Sequence, residues 1–227
     1  MTGIDIYRRI FKIWRARRFA QFIEVLKPSA SDSLIDVGGE PVFWTSHPPV
    51  VGSIDLVNPK VMRFDHAAYP GHRQRALVGD GRHLVDVGDH SYDIAFSNSV
   101  IEHVGTWEDQ QKFAAEMRRV GKRVWCQTPA RECPLEPHYM APFIHWLPRS
   151  LQRRLMRRFT LWGWLSKPTP ADIAFMVDTT RLITFREMKR LFPDCRIMVE
   201  RMLLVIPKSY IAVRTGDPPA AAGRQHD

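Results

Sequence analysis

Leu34-Ile35-Asp36-Val37-Gly38-Gly39-Glu40-Pro41 is a short apolar run that closes on a carboxylate, paired glycines and a proline. Such a run reads as a buried strand that ends in a tight turn. A second run, Val50-Val51-Gly52-Ser53-Ile54-Asp55, also ends in a carboxylate. In an open α/β sheet a ligand sits outside the carboxyl ends of the strands, and glycines there let backbone come close to it. A second-strand acid about 20 residues after the first strand is placed to accept hydrogen bonds from ribose hydroxyls. The first quarter of the chain therefore predicts a site for a nucleoside-type cofactor. The third glycine of the G-x-G-x-x-G dinucleotide fingerprint is missing, which argues against a nicotinamide-dependent oxidoreductase.

Working outward, Ala76-Leu77-Val78-Gly79-Asp80-Gly81 is a third apolar run ending in a turn, and Tyr92-Asp93-Ile94-Ala95-Phe96-Ser97-Asn98 is a fourth, followed by Ser99-Val100-Ile101-Glu102-His103-Val104. This order resembles the class I S-adenosylmethionine (SAM)-dependent methyltransferases, particularly a small bacterial methyltransferase-domain group with an Asp-Val-Gly-Gly turn and a Ser-Asn-Ser-Val-Ile-Glu-His segment. The likeness runs through residues 30 to 130 and continues more loosely to Val213. It implies a Rossmann-like, doubly wound α/β sheet, mostly parallel with an antiparallel edge hairpin at the C-terminus, and SAM as cofactor. By resemblance Asp36, Gly38 and Gly39 form the turn around the methionine part, Asp55 takes the ribose hydroxyls, Asp80 and Gly81 meet the adenine, and Ser97 and Asn98 line the floor. Glu40 and Pro41 depart from the pattern: a carboxylate there would repel the cofactor's own carboxylate unless it turns to the ammonium or to solvent. A cofactor-poor binding or regulatory module of the same fold is thus the second reading.

Methyl transfer from a sulfonium chiefly needs donor and acceptor held in line with water excluded. If the acceptor is a hydroxyl or an amine, a base helps to remove its proton. His138 is the first candidate, His103 beside Glu102 its rival, and Glu136 and His145 weaker ones; each of these histidines has a packed, hydrogen-bonded role as its plain alternative. The nine histidines show no H-E-x-x-H spacing, so no metal is expected.

The chain of 227 residues, with 44% hydrophobic and 25% charged residues, suits one globular domain with an insertion. That domain is expected over residues 1–214: a leading helix within 1–28, an insertion at 130–180 that the resemblance implies is a lid over the acceptor, and a disordered tail at 215–227. Cys126, Cys133 and Cys195 lack zinc-site spacing and read as reduced thiols of a cytoplasmic protein. The longest apolar runs fall far short of the ~20 residues that span a bilayer, and no secretory leader is expected. The net charge of +9 points to anionic partners. Nucleic acid is not the expected one, because no RNA-binding module and no Asn-Pro-Pro-Tyr-type segment follows the fourth strand. A small-molecule or lipid-linked acceptor and peripheral contact with an anionic membrane are.

Ile4 to Leu26 carries apolar stripes among arginines and reads as a helix stopped by Pro28, packing on the sheet or lying on a membrane. Pro41 starts a short helix that His47-Pro48-Pro49 ends. Irregular chain fills 58–75. Thr106 caps a helix whose buried stripe is Phe113, Ala114, Met117 and Val120 and whose end is Gly121. Arg123 to Pro129 is the fifth strand. Within the insertion, Leu151, Leu155 and Phe159 recur among arginines on a helix followed by Trp162 and Trp164, a pattern fit for a membrane interface or for packing on the sheet. Thr184-Phe185-Arg186-Glu187 is a capping box. Two strands, 196–206 and 209–213, then pair around Pro207-Lys208 as a hairpin.

Overall fold

The computed structural model describes residues 3–62 and 73–216, with side chains from Trp14 onward. Most of the expected tail, the middle of the 58–75 segment and the side chains of Arg8, Arg9 and Lys12 lie outside the described residues. Helix α1 (Gly3–Leu26) ends where Lys27 enters the left-handed region at φ 47°, and Arg123 Nη1 donates to the Leu26 carbonyl at 2.8 Å. Then come β1 (Ser33–Val37), α2 (Pro41–Thr45), β2 (Ser53–Asn58), β3 (Arg73–Val78), β4 (Tyr92–Asn98), α3 (Trp107–Val120) and β5 (Gly121–Pro129). The insertion holds β6 (Leu135–Glu136), β7 (Ala141–Pro142), α4 (Arg149–Phe159), α5 (Leu161–Ser166) and α6 (Pro170–Thr179). Helix α7 (Phe185–Leu191) and strands β8 (Arg196–Met202) and β9 (Ile206–Arg214) complete the described chain.

The main sheet has seven strands in the order β3-β2-β1-β4-β5-β9-β8. β3, β2, β1, β4 and β5 run parallel, and β9 pairs antiparallel with both β5 and β8. This is the expected doubly wound sheet with its antiparallel C-terminal hairpin. Strand order reverses between β1 and β4, where such sheets leave a crevice at the carboxyl edge.

Each face of the sheet is covered by its own core. Phe19, Phe22 and Leu26 of α1 and Trp44 of α2 pack on Leu34, Ile54, Phe96 and Trp125. Phe113, Ala114, Met117 and Val120 of α3, with Met188 and Leu191 of α7, cover Ile35, Val37, Ala95 and Val124. Burying a large side chain of this kind contributes ~1.5–3 kcal/mol. α1 thus takes the packing role, and Lys208 sits 3.8 Å from the centre of the Trp14 ring. Thr106 and Asp109 form the reciprocal cap that starts α3, and Thr184 with Glu187 does the same for α7.

Three expectations of position are corrected, and a fourth left open is decided. β2 begins at Ser53 rather than Val50, because Gly52 is pressed against the Ala30 carbonyl oxygen, 2.4 Å from where a Cβ would stand. β3 begins at Arg73 rather than Ala76 and stops before Gly79. The final hairpin turns at 203–205; Pro207 lies within β9 where it faces only β8, beside a bulge at Glu200/Arg201, so its missing N–H costs no bond to β5. In α4 the inward residues are Gln152 and Met156, with Leu155 half-buried, whereas Leu151 and Phe159 are exposed. The insertion closes on a separate small core of Tyr139, Ile144, Met156, Ile173 and Val177.

Candidate functional site

The carboxyl ends of β1, β2, β4 and β5 converge on one edge, and chemistry-bearing side chains flank the switch point on both sides. On the β1 side, Gly38 has φ 84° and a Cβ there would meet Val100 at 2.4 Å. Only glycine holds that turn without strain. A Cβ on Gly39 would stand 1.8 Å from Asp36 Oδ2, so the turn lies directly against the carboxylate. Asp36 is buried, accepts a 2.8 Å bond from Trp44 Nε1 on one oxygen, and has no partner on Oδ1. Burial lifts its pKa to about 7, opposed by the Trp44 bond. A cationic group of a ligand placed at this turn would satisfy that oxygen and relieve the burial cost. Glu40 is exposed and makes no capping bond to α2.

Asp55 does not sit at a strand end. It lies level with Ile35, inside β2, and its carboxylate is occupied by Arg75 (3.0 and 2.5 Å) and by the Tyr92 hydroxyl. The strand-end position belongs to Asn58, whose Nδ2 donates to the Gly39 carbonyl at 2.5 Å. The Asn-Pro pair after an apolar run was the signal that would have marked it. Asp80 makes a turn with the Arg82 N–H and guanidinium, which holds its pKa below the usual range, with burial opposing. Gly81 packs where a Cβ would meet Val37 Cγ1 at 2.5 Å. Ser97 spends its hydroxyl on the Val37 carbonyl at 2.9 Å, a tie between strands. Asn98 accepts from Arg18 Nη1 at 2.9 Å, and the same guanidinium reaches Gln127 at 3.0 Å and Glu200 at 2.8 Å. These two residues are thereby tied into the sheet and to α1.

On the β4 and β5 side the structure brings together residues far apart in sequence. Glu102 and His103 lie in a 3-10 turn after β4, and the insertion delivers Glu136 and His138. His103 Nε2 and His138 Nε2 are 3.0 Å apart. His138 Nδ1 is 2.6 Å from Glu136 Oε1, whose other oxygen accepts the Tyr139 N–H at 2.7 Å. His103 Nδ1 is 3.4 Å from Thr180 Oγ1. Glu102 is fully buried and accepts from Thr128 Oγ1 at 2.9 Å. Burial raises the Glu102 pKa. Partial desolvation also disfavours charge on both imidazoles: His103, part of whose side chain stays open to solvent, falls to about 4, with the neighbouring His138 adding to the fall. For His138 the bond and charge of Glu136 with the charge of Glu102 outweigh burial, and its pKa rises. His145 is engaged elsewhere, its Nε2 3.0 Å from the Arg131 carbonyl oxygen. Beside the pair, a cleft of about 220 Å³ is lined by Arg131, Glu136, His145, Arg149, Thr180 and Arg181, among others. Sequence reading named both histidines but not Glu102 or Thr180 as parts of one cluster, since no local spacing announces contacts between residues so far apart.

Residues 49–123 match a family model described as a methyltransferase domain. Among solved structures, magnesium protoporphyrin IX methyltransferase (ChlM) from Synechocystis PCC 6803 with bound SAH is similar at 10% identity and a TM-score of 0.52, over 94% of this chain and 88% of that one. N-methyltransferase NodS from Bradyrhizobium japonicum WM9 in complex with SAH is similar at 9% identity and a TM-score of 0.51, over 90% and 87% of the two chains. A Rhodobacter sphaeroides structure described as putative Zn-dependent alcohol dehydrogenases reaches 0.51 at 11% identity, over 85% and 86%. No curated protein matches the sequence. At 9–11% identity these likenesses show the fold alone.

Proposed function

We propose that this chain, which resembles the class I SAM-dependent methyltransferases in sequence and in fold, transfers a methyl group from SAM to a small-molecule or lipid-linked acceptor. The observation that carries the reading is the glycine turn over Asp36, whose buried, unpartnered Oδ1 suits the ammonium of an amino-acid cofactor. When bound, SAM supplies an already activated methyl group. Asp36 orients its amino-acid end, Gly38 and Gly39 let it approach the backbone, and Asn58 stands where a ribose would meet the end of β2. Asp55, already paired with Arg75, acts on that site only by holding β2 to β3. Asp80 and Gly81 are assigned the adenine side, and Ser97 and Asn98 keep the floor rigid.

The acceptor enters through the cleft in the 130–180 insertion, where Arg131 and Arg149 favour a substrate with anionic groups. Its reacting atom meets the His103–His138 pair. With Glu136 accepting its Nδ1 proton, His138 presents Nε2 as the atom able to take a proton from a hydroxyl or amine. Peripheral contact with an anionic membrane, made by the insertion's arginines and exposed aromatics, belongs to the same proposal.

Calorimetric titration with SAM tests the cofactor assignment. Binding is expected, and Asp36→Ala should weaken it about tenfold or more, ~1.4 kcal/mol, without unfolding. A wild-type chain that binds no SAM would instead be the cofactor-poor module, and unchanged affinity in the variant would move the site away from Asp36. Incubating the protein with methyl-labelled SAM and fractionated cell extract then identifies the acceptor.

A further inference from the structure

Glu102, His103 and His138 form a constellation that goes beyond an acid–base pair. Their ligand atoms lie within 4.8 Å of one another, His103 Nε2 and His138 Nε2 3.0 Å apart and His138 Nε2 3.8 Å from Glu102 Oε1. Two donors on one zinc-sized ion stand at most about 4.2 Å apart, so two of these pairs already meet the requirement. The third is within reach of His103, the exposed member. A hydrogen bond between the imidazoles can account for their contact but leaves one atom short of a hydrogen bond: Glu102 Oε1 is buried with no hydrogen-bond partner, only the charge of His138 3.8 Å away. Protonating it does not help, because His138 Nε2 is too distant to accept a hydrogen bond.

We infer that Glu102, His103 and His138 bind a divalent transition-metal ion through Oε1 and the two Nε2 atoms, with a position left open toward the acceptor cleft. The surroundings are those of a metal site. Ligating imidazoles commonly engage their second nitrogen with a carboxylate or other polar group, and here Glu136 takes Nδ1 of His138 while Thr180 stands beside Nδ1 of His103. Thr128 fixes the remaining oxygen of Glu102. One carboxylate with two imidazoles suits Zn²⁺, Fe²⁺ or Mn²⁺ better than Mg²⁺ or Ca²⁺, which prefer oxygen alone. Sequence spacing hid the set, since its third member comes from the insertion.

The role of the ion rests on the methyltransferase reading; the site does not. A bound divalent ion lowers the pKa of a hydroxyl that it contacts, which selects an oxygen acceptor. With its Nε2 on the ion, His138 no longer serves as the base: the hydroxyl proton leaves to water, the carbon–oxygen bond forms, and the carbon–sulfur bond breaks with its electron pair on sulfur.

The test is equilibrium dialysis of the chelator-stripped full chain against Zn²⁺, with Co²⁺ as an optical probe, and SAM affinity measured in parallel. Expected are one Zn²⁺ per chain, visible Co²⁺ absorption, and at least about tenfold weaker binding in His103→Ala and His138→Ala. Glu136→Gln, which keeps shape and only loosens His138, should weaken binding about 10-fold. Because His103 is exposed, its variant is expected to fold, and circular dichroism checks that. Wild type without stoichiometric metal, or His103→Ala and His138→Ala binding as tightly as wild type, overturns the site. Metal loss with SAM binding intact would refute the ion alone, whereas metal bound without any SAM affinity would refute the methyltransferase reading and leave the site standing.

Discussion

Asp36 is the residue on which sequence and structure agree in position and differ in state. An acid ahead of paired glycines was legible, but its protonation depends on Trp44, which the short α2 brings over it and whose Nε1 holds one oxygen at 2.8 Å. Burial raises its pKa from 3.8 to about 7. Between those values the folded chain keeps a proton that the unfolded chain has lost, so Asp36 makes stability fall as pH rises through the window. The loss at neutral pH and above is on the order of 4 kcal/mol at most. Asp36→Asn keeps an acceptor for Trp44 and cannot ionise. Its stability advantage over wild type in urea unfolding should be near zero at about pH 4, grow through about pH 7 and then level off. An advantage that stays flat with pH would mean that Asp36 is not held in a dry site. Asp55 gives the opposite lesson. It closes an apolar run, yet the close approach of Gly52 to Ala30 delays the start of β2, and the acid falls inside the strand with Arg75 as its partner.

At the level of elements, patterns complete within one stretch were legible and those completed by another stretch were not. The Thr106 cap, the stripe from Phe113 to Val120 and the Thr184–Glu187 box are local, and each helix formed where its own residues place it. The last hairpin is not local in this sense. Pro207-Lys208 looks like a turn, but Ile206 and Pro207 already lie in register with Met202 and Arg201 of β8, and the chain reverses instead at Leu203-Leu204-Val205. Leu203 and Leu204 there take φ of 51° and 65°, a region that costs a non-glycine residue roughly 1–2 kcal/mol. Leu204 is 90% exposed, so packing does not offset that cost. Leu204→Gly is therefore expected to stabilise the protein by about 1 kcal/mol in chemical unfolding. A loss of stability instead would show that the reversal uses a different turn. For α4 the periodicity left a membrane-facing arc and one packed on the sheet both open; α6 and Tyr139 decide that Met156, not Phe159, is its inner edge.

Across the whole molecule, the insertion has its own core and turns the remainder of its apolar surface outward. Phe159, Trp164 and Phe175 are 67%, 65% and 66% exposed. Arg153 is held by Asp178 at 2.6 Å, whereas among the described residues no ion pair engages Arg154, Arg157 or Arg158. None of the described helices is long and apolar enough to cross a membrane, so any lipid contact made by them is at the surface. Exposed aromatics next to unpaired guanidinium groups suit an anionic interface, where each basic residue contributes ~1 kcal/mol. That contact would also set the mouth of the acceptor cleft, which Arg149 of the same helix lines, near a lipid-linked substrate. Co-sedimentation with vesicles separates this from a merely solvated surface. Binding to anionic vesicles at low salt is expected, with little to neutral ones, and it should weaken as salt screens the charges. Changing Arg154, Arg157 and Arg158 together to glutamine should abolish most of it, while Arg153→Gln should change it less because Asp178 already neutralises that charge. A wild-type chain that stays in the supernatant with anionic vesicles at low salt would assign the basic face to an anionic substrate in solution.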